Sequence, residues 1–233
     1  MADTGVAISS NTDRASLYRL MSWLSPSYPV GAFAYSHGLE GAVEASRVAN
    51  AKDLHDWIAT VLRFGTGNTD GVLFREAWKS AMANDQHRFD IISELANAFQ
   101  PTAEIALEAM SQGKAFRRAT HNAWPAPMHV ESSANQTYPV AVALACADHG
   151  IGVEEGLHAY YHAFASNLVS AGVRLIPLGQ SDGQAILARL EITVAAAQLF
   201  AMTCSIDDLG SANPVIDLDS MVHETQYTRL FRS

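Results

Sequence analysis

Apolar residues recur at helical intervals along most of the chain. Leu17, Leu20, Met21 and Leu24 follow the i, i+3, i+4, i+7 spacing of one helix face, with Thr12 or Asp13 placed to cap its start. Leu54, Trp57, Ile58, Val61 and Leu62 repeat the pattern, as do Phe74, Ala77, Trp78 and Ala81. Ile91, Leu95, Ala98 and Phe99 give a fourth stripe, and Leu157, Tyr160, Tyr161, Phe164 and Leu168 a longer fifth. None of these windows alternates with the period of two that a half-buried strand requires.

The stripes stop at Pro- and Gly-rich breaks: SPSYPVG (25–31), GTGNTDG (65–71), Gln100-Pro101, WPAPMHVESSANQ (124–136), Gly150 to Gly152 and PLGQSDG (177–183). The expected architecture is one all-α domain over 1–233, a bundle of about nine or ten helices. Residues 1–12 read as a flexible N-terminus. After Thr203 the periodicity fades into SIDDLGSANPVIDLDS, so 205–233 reads as an irregular, partner-docking tail.

Composition strengthens the helical expectation, since 38 alanines stand against 26 valines plus isoleucines. With 48% apolar and 17% charged residues the chain can bury a full core. Its formal charge of -9 disfavours a phosphate-backbone partner, so nucleic acid is not expected. Two cysteines in apolar surroundings encode neither a disulfide framework nor a Cys-rich metal site, and the expected compartment is reducing and cytoplasmic. No leader pattern is legible in the first 14 residues and no membrane span is expected.

Gly179-Gln180-Ser181-Asp182-Gly183 fits the G-x-S-x-G nucleophile elbow, with aspartates at 207, 208, 217 and 219 and then His223 downstream. An elbow needs a central strand before it, whereas Pro177 interrupts the only strand-like run and helices precede it. A Gly-rich turn ahead of a helix is the expectation, and a serine hydrolase is the alternative. His158 and His162 lie four apart on one helical face, a spacing used in two-His metal sites, but no third ligand is obvious and no permanent metal is assigned. Gly65-Thr66-Gly67 with Gly71 lacks the third glycine and the preceding strand of a dinucleotide loop.

Two segments carry more special residues than a bundle needs. Residues 25–40, SPSYPVGAFAYSHGLE, combine two prolines, three aromatics and two glycines. The segment HETQYTRLFRS (223–233) sets Tyr227, Leu230 and Phe231 beside Arg229 and Arg232. The first is similar to the S-P-x-x-P-V-G-x-F-x-Y-S-x-G-L-E signature of the UreF family of urease accessory proteins. RLIPLGQSDGQ (174–184) resembles that family's R-L-x-P-L-G-Q-x-D-G-Q, and the final segment its H-E-x-Q-x-x-R-L-F-x-S. Ala109 stands where a serine is usual and Gly172 where an alanine is usual.

The resemblance implies an all-α fold and no catalysis. It implies an adaptor in urease maturation that binds a UreD-type partner (UreH in some organisms), recruits the GTPase UreG and serves the urease apoprotein. No resident cofactor is expected: nickel is handled transiently by the complex and GTP is bound by the partner. A homodimer is implied. Within that reading Tyr35, His37 and Glu40 face a partner or frame a polar passage for nickel. Gln180, Asp182 and Gln184 either meet a partner or, for Asp182, cap the following helix. Tyr227, Leu230 and Phe231 are apolar anchors, and Arg229 and Arg232 are charge-assisted donors.

Overall fold

The computed structural model describes residues 5–131 and 135–233. Ten α-helices form among them: α1 (Gly5–Trp23), α2 (Leu39–Glu44), α3 (Ala51–Phe64), α4 (Thr66–Met82), α5 (Gln86–Ala98), α6 (Ala103–Ala123), α7 (Tyr138–Asp148), α8 (Val153–Leu175), α9 (Gln180–Thr203) and α10 (Pro214–His223). Short 3-10 turns at Ala32–Ala34 and Ile206–Asp208 complete the described elements, and no strand forms among the described residues. The all-α single domain expected from periodicity is the one that forms.

Side-chain caps set several of the starts. Asn50 accepts from the backbone N–H groups of Lys52 and Asp53 at 2.9 and 3.0 Å, and Asp85 accepts from that of Arg88 at 3.0 Å. Thr102 does the same for Ile105 at 3.2 Å. Each satisfies donors that a helix start leaves unpaired. On α3 the stripe Leu54, Trp57, Ile58, Val61 and Leu62 is the buried face. On α8 Leu157, Tyr160, Tyr161 and Leu168 are buried, with Phe164 packed against them.

α7 is apolar all round and buried from Pro139 to Ala147, so it forms the centre, against α4, α6 and α8. α9 packs on α3, α4 and α8 through Ile186, Leu190, Val194, Ala197 and Ala201. Contrary to the expectation of no spanning run, α9 is long and apolar enough to cross a membrane by length and composition. Here it is a bundle helix, one face inward.

Four further expectations change. α1 begins at Gly5 rather than near Thr12 or Asp13, so most of the supposed flexible N-terminus is helical, while residues 1–4 lie outside the described residues. On α5 the buried face is Phe89, Ile92, Ser93 and Ala96, and Ile91 is exposed. GTGNTDG is not a loop beyond Gly65. Its other residues are the first turns of α4, where a Cβ at Gly71 would collide with the Tyr161 hydroxyl and one at Gly67 would come within 2.7 Å of Leu62 Cα. Those glycines serve close helix packing rather than a break. Finally, 205–233 is not irregular throughout: Pro214 opens α10, a position where its missing N–H costs nothing.

Candidate functional site

The segment 25–40 crosses the end of the bundle as a rigid turn. Gly31 sits at φ 77°, and His37 and Gly38 follow at φ 59° and 83°, successive left-handed residues that swing the chain into α2. The Tyr28 hydroxyl bonds Thr120 at 2.8 Å across to α6. A Cβ on Gly38 would lie 3.2 Å from Ser220 N, and one on Gly41 2.5 Å from Asp219 O, so the GLEG stretch lets α10 rest directly on the α2 backbone. Asp219, buried in that contact, pairs with Arg47.

The chain after α10 then lies along this turn. Arg232 N–H donates to Ala34 O at 2.8 Å and Ser36 N–H to Ser233 O at 2.8 Å. Glu40, buried at the start of α2, is the anchor: its carboxylate accepts from Leu230 N–H at 2.7 Å, from Phe231 N–H at 2.9 Å and from His223 Nε2 at 3.0 Å. His223 Nδ1 reaches Glu104 on α6 at 2.7 Å, and Arg229 donates to the other oxygen of Glu104 at 2.9 Å. The Phe231 ring is buried under the Arg174 guanidinium, 4.4 Å from its centroid, and Arg174 also donates to Phe33 O at 2.7 Å. Three motifs distant in sequence meet at Arg174, Phe33 and Phe231.

Beneath the turn runs a buried polar row. Glu108, one helical turn beyond Glu104, accepts from the Ser233 hydroxyl at 2.7 Å and Gln112 at 3.1 Å, and faces His37 Nδ1 at 3.3 Å. His37 Nε2 bonds Thr66 at 2.7 Å, and the Tyr160 hydroxyl donates to Asp70 at 2.8 Å. Burial alone would push the His37 imidazole down, but the charge and hydrogen bond of Glu108, with Asp70 and Asp217, leave it raised. Burial pushes the Asp70 carboxyl up to about 6.

The sequence candidates therefore separate into three groups. Tyr35, His37 and Glu40 are buried where the final segment and the turn fasten together, a clasp between the two ends of the chain, and do not face outward. Gln180, Asp182 and Gln184 are exposed at the start of α9, and Asp182 caps that helix by accepting from Gly179 N–H at 2.9 Å. In the last segment Phe231 is an internal anchor, whereas Tyr227 and Leu230 point outward at 103% and 56% exposure and Arg232 is exposed. Arg229, its side chain 40% exposed, is spent on Glu104. The tail is thus a packed part of the fold, correcting the reading of its last residues as an irregular segment free to dock.

Glu104, Glu108, Ser36, Arg174 and Ser233 were not among the sequence candidates. A signal existed in TAEIALEAM, where two carboxylates four apart share a face with apolar residues. The hydrolase geometry does not form. Ser181 lies in the first turn of α9 with no strand before it, and His223 is fully buried between Glu40 and Glu104. Among the described residues no group of three or more His, Cys, Asp or Glu side chains is placed to hold a metal ion.

The UreF family model matches residues 48–191. The chain is 51% identical to the urease accessory protein UreF of Rhodopseudomonas palustris (strain BisB5), over 99% of this chain and 96% of that one. It is 48% identical to the urease accessory protein UreF of Granulibacter bethesdensis over 97% and 98% of the two chains. The corresponding protein of Bradyrhizobium sp. (strain BTAi1) is 48% identical over 97% and 96%.

Proposed function

Because the chain belongs to the UreF family of urease accessory proteins, we propose that it acts in urease maturation as an adaptor, binding a UreD/UreH-type accessory protein and recruiting the GTPase UreG to the urease apoprotein. A urease accessory protein of this family is not an enzyme. In this reading nickel passes as cargo, GTP stays on the partner, and the chain works in the cytoplasm with no resident cofactor.

The observation that carries the reading is the outward display of Tyr227 and Leu230 on a segment whose backbone is fastened from Glu40 to Ser233. An aromatic and an aliphatic side chain held in place ahead of contact are what a binding anchor requires, since little conformational entropy is lost on docking. Arg232 at the same edge adds a charge-assisted donor. Homodimer formation belongs to the same proposal: Ile192 and Leu199 on α9 are 81% and 67% exposed, an apolar strip suited to a second copy.

The test is capture of a UreD-type protein by the Tyr227→Ala, Leu230→Ala double variant. Both side chains are exposed, so melting should stay at the parent value while the complex is lost or weakened by about 1–3 kcal/mol. Undiminished capture removes the reading, and light scattering of the free chain decides between monomer and dimer.

A further inference from the structure

α8 carries His158 and His162 one helical turn apart, so their side chains project from one face with Cβ atoms about 5–6 Å from each other. Both are exposed, and both line the same two adjoining concavities. One, of about 670 Å³, lies between α1 and α8. The other, of about 360 Å³, lies between α8 and α9.

The His158 ring is already set for coordination. Gln198 on α9 donates its amide Nε2 to Glu154 O at 3.0 Å, and a backbone carbonyl can only accept, so the amide oxygen is the end turned toward His158. That oxygen lies 2.7 Å from His158 Nδ1, which must therefore carry the proton and leave a lone pair on Nε2. A metal-ligating histidine is held in this way when its other ring nitrogen donates to a fixed oxygen.

The surroundings favour a cation. Glu154 and Glu155 line the first concavity and Glu191 the second, and among the described residues no lysine or arginine lines either. Leu17 and Met21 of α1 make the opposite wall apolar, which strengthens the field of those carboxylates.

We propose that His158 and His162 form a two-imidazole site for a late first-row divalent cation. Neutral imidazole nitrogens prefer Cu²⁺, Ni²⁺ and Zn²⁺ to Mg²⁺ or Ca²⁺. With no third His, Cys, Asp or Glu among the described residues placed to join them, water fills the remaining positions and the ion exchanges readily. Both ligands and the side chain that orients one of them come from α8 and α9, so the site is independent of the partner-docking tail.

Cu²⁺ added to the full chain is the probe. Its electron paramagnetic resonance spectrum should show two equatorial nitrogens, reduced to one in His158→Ala and in His162→Ala. Gln198→Leu should raise the Kd about tenfold by freeing the ring. His87→Ala, a change at an exposed histidine on α5, should alter nothing. A hundredfold excess of Mg²⁺ should not displace the ion. Circular dichroism checks that each variant keeps its helices, and His162→Gln repeats the measurement with an uncharged side chain of similar reach. A one-nitrogen spectrum in the parent chain, or unchanged binding after both histidines are replaced, overturns the proposal.

Discussion

Glu40 and His223, 183 positions apart in sequence, lie 3.0 Å apart inside the protein, and the same carboxylate accepts from the backbone of Leu230 and Phe231. One buried charge thereby fixes the path of the final ten residues. The opposite nitrogen of His223 lies on Glu104, so the ring stands between two carboxylates contributed by α2 and α6. The final segment is consequently written into the fold by residues near both ends of the chain.

Removing the anchor should loosen that segment. Glu40→Ala leaves two backbone donors and one side of His223 without their acceptor inside the protein, a loss of about 3 kcal/mol or more. Melting should fall by roughly 6–12 °C for a domain of this size. Limited proteolysis should then cut within 224–233 before it cuts the bundle. An unchanged melting curve would mean that water replaces Glu40 at no cost.

Ending the chain after Val222 should also destabilise it. The truncation removes His223, the Phe231 ring beneath Arg174 and the Ser233 hydroxyl on Glu108, leaving Glu40, Glu104 and Glu108 buried with fewer donors. A lower midpoint in urea with helical content largely kept is the expected result. A midpoint equal to the parent's would return the segment to the role of a detachable tail.

The helices were legible wherever burial depends on one face. On α3 and α8 the apolar spacing matched the buried side chains because each helix lies against the core along its length. On α5 the stripe shifted, since Phe89 and Ile92 enter the core and Ser93 can follow by bonding back to Phe89 O at 2.9 Å. The stripe on α1 misled in another way. Leu17 and Met21 are periodic yet exposed, because they wall an open concavity. The clasp was hidden for a different reason: its bonds join Glu40 to His223 and Glu108 to Ser233, pairings that no local spacing encodes. What remained visible was an excess of unusual residues in the two segments that meet.

Glycines in the turn and in α4 should fail for different reasons. Gly31 has open space around it but a φ of 77°, so Gly31→Val should cost more than about 1 kcal/mol through backbone strain, and Gly31→Asn less. Gly71 has an ordinary helical backbone but no room, so Gly71→Ala should displace Tyr161 and break its 2.8 Å bond to Gly67 O. Urea melts of the three variants, with tyrosine fluorescence for Tyr161, separate strain from collision. Equal losses for Val and Asn at position 31 would show that φ is not the cause.

Two buried groups should each make stability decline as pH rises, in separate windows, against the opposite slopes of Glu76 and His149, whose values the fold lowers. Asp70 titrates near 3.9 in the unfolded chain and at about 6 when folded. Between those values the native state binds more protons than the unfolded state, so unfolding free energy falls as pH rises through that interval. His37 is raised above 6.5 in the fold, so its favourable contribution is fully present below 6.5 and lost as pH climbs through the folded value. Asp70→Asn keeps an oxygen for the Tyr160 hydroxyl while removing the buried charge. It should stabilise the protein at pH 7.5 by about 1–3 kcal/mol and give no gain at pH 4, where the unfolded carboxyl is itself half protonated. His37→Gln should instead flatten the decline above pH 6.5 and, by removing a cation that holds the Asp70 carboxyl down, carry the lower window to higher pH. Urea unfolding at half-unit steps from pH 4 to pH 9 reads both windows. An Asp70→Asn variant no more stable than the parent at pH 7.5 would mean that Asp70 is stabilised as an anion, with the Tyr160 hydrogen bond and His37 outweighing its burial.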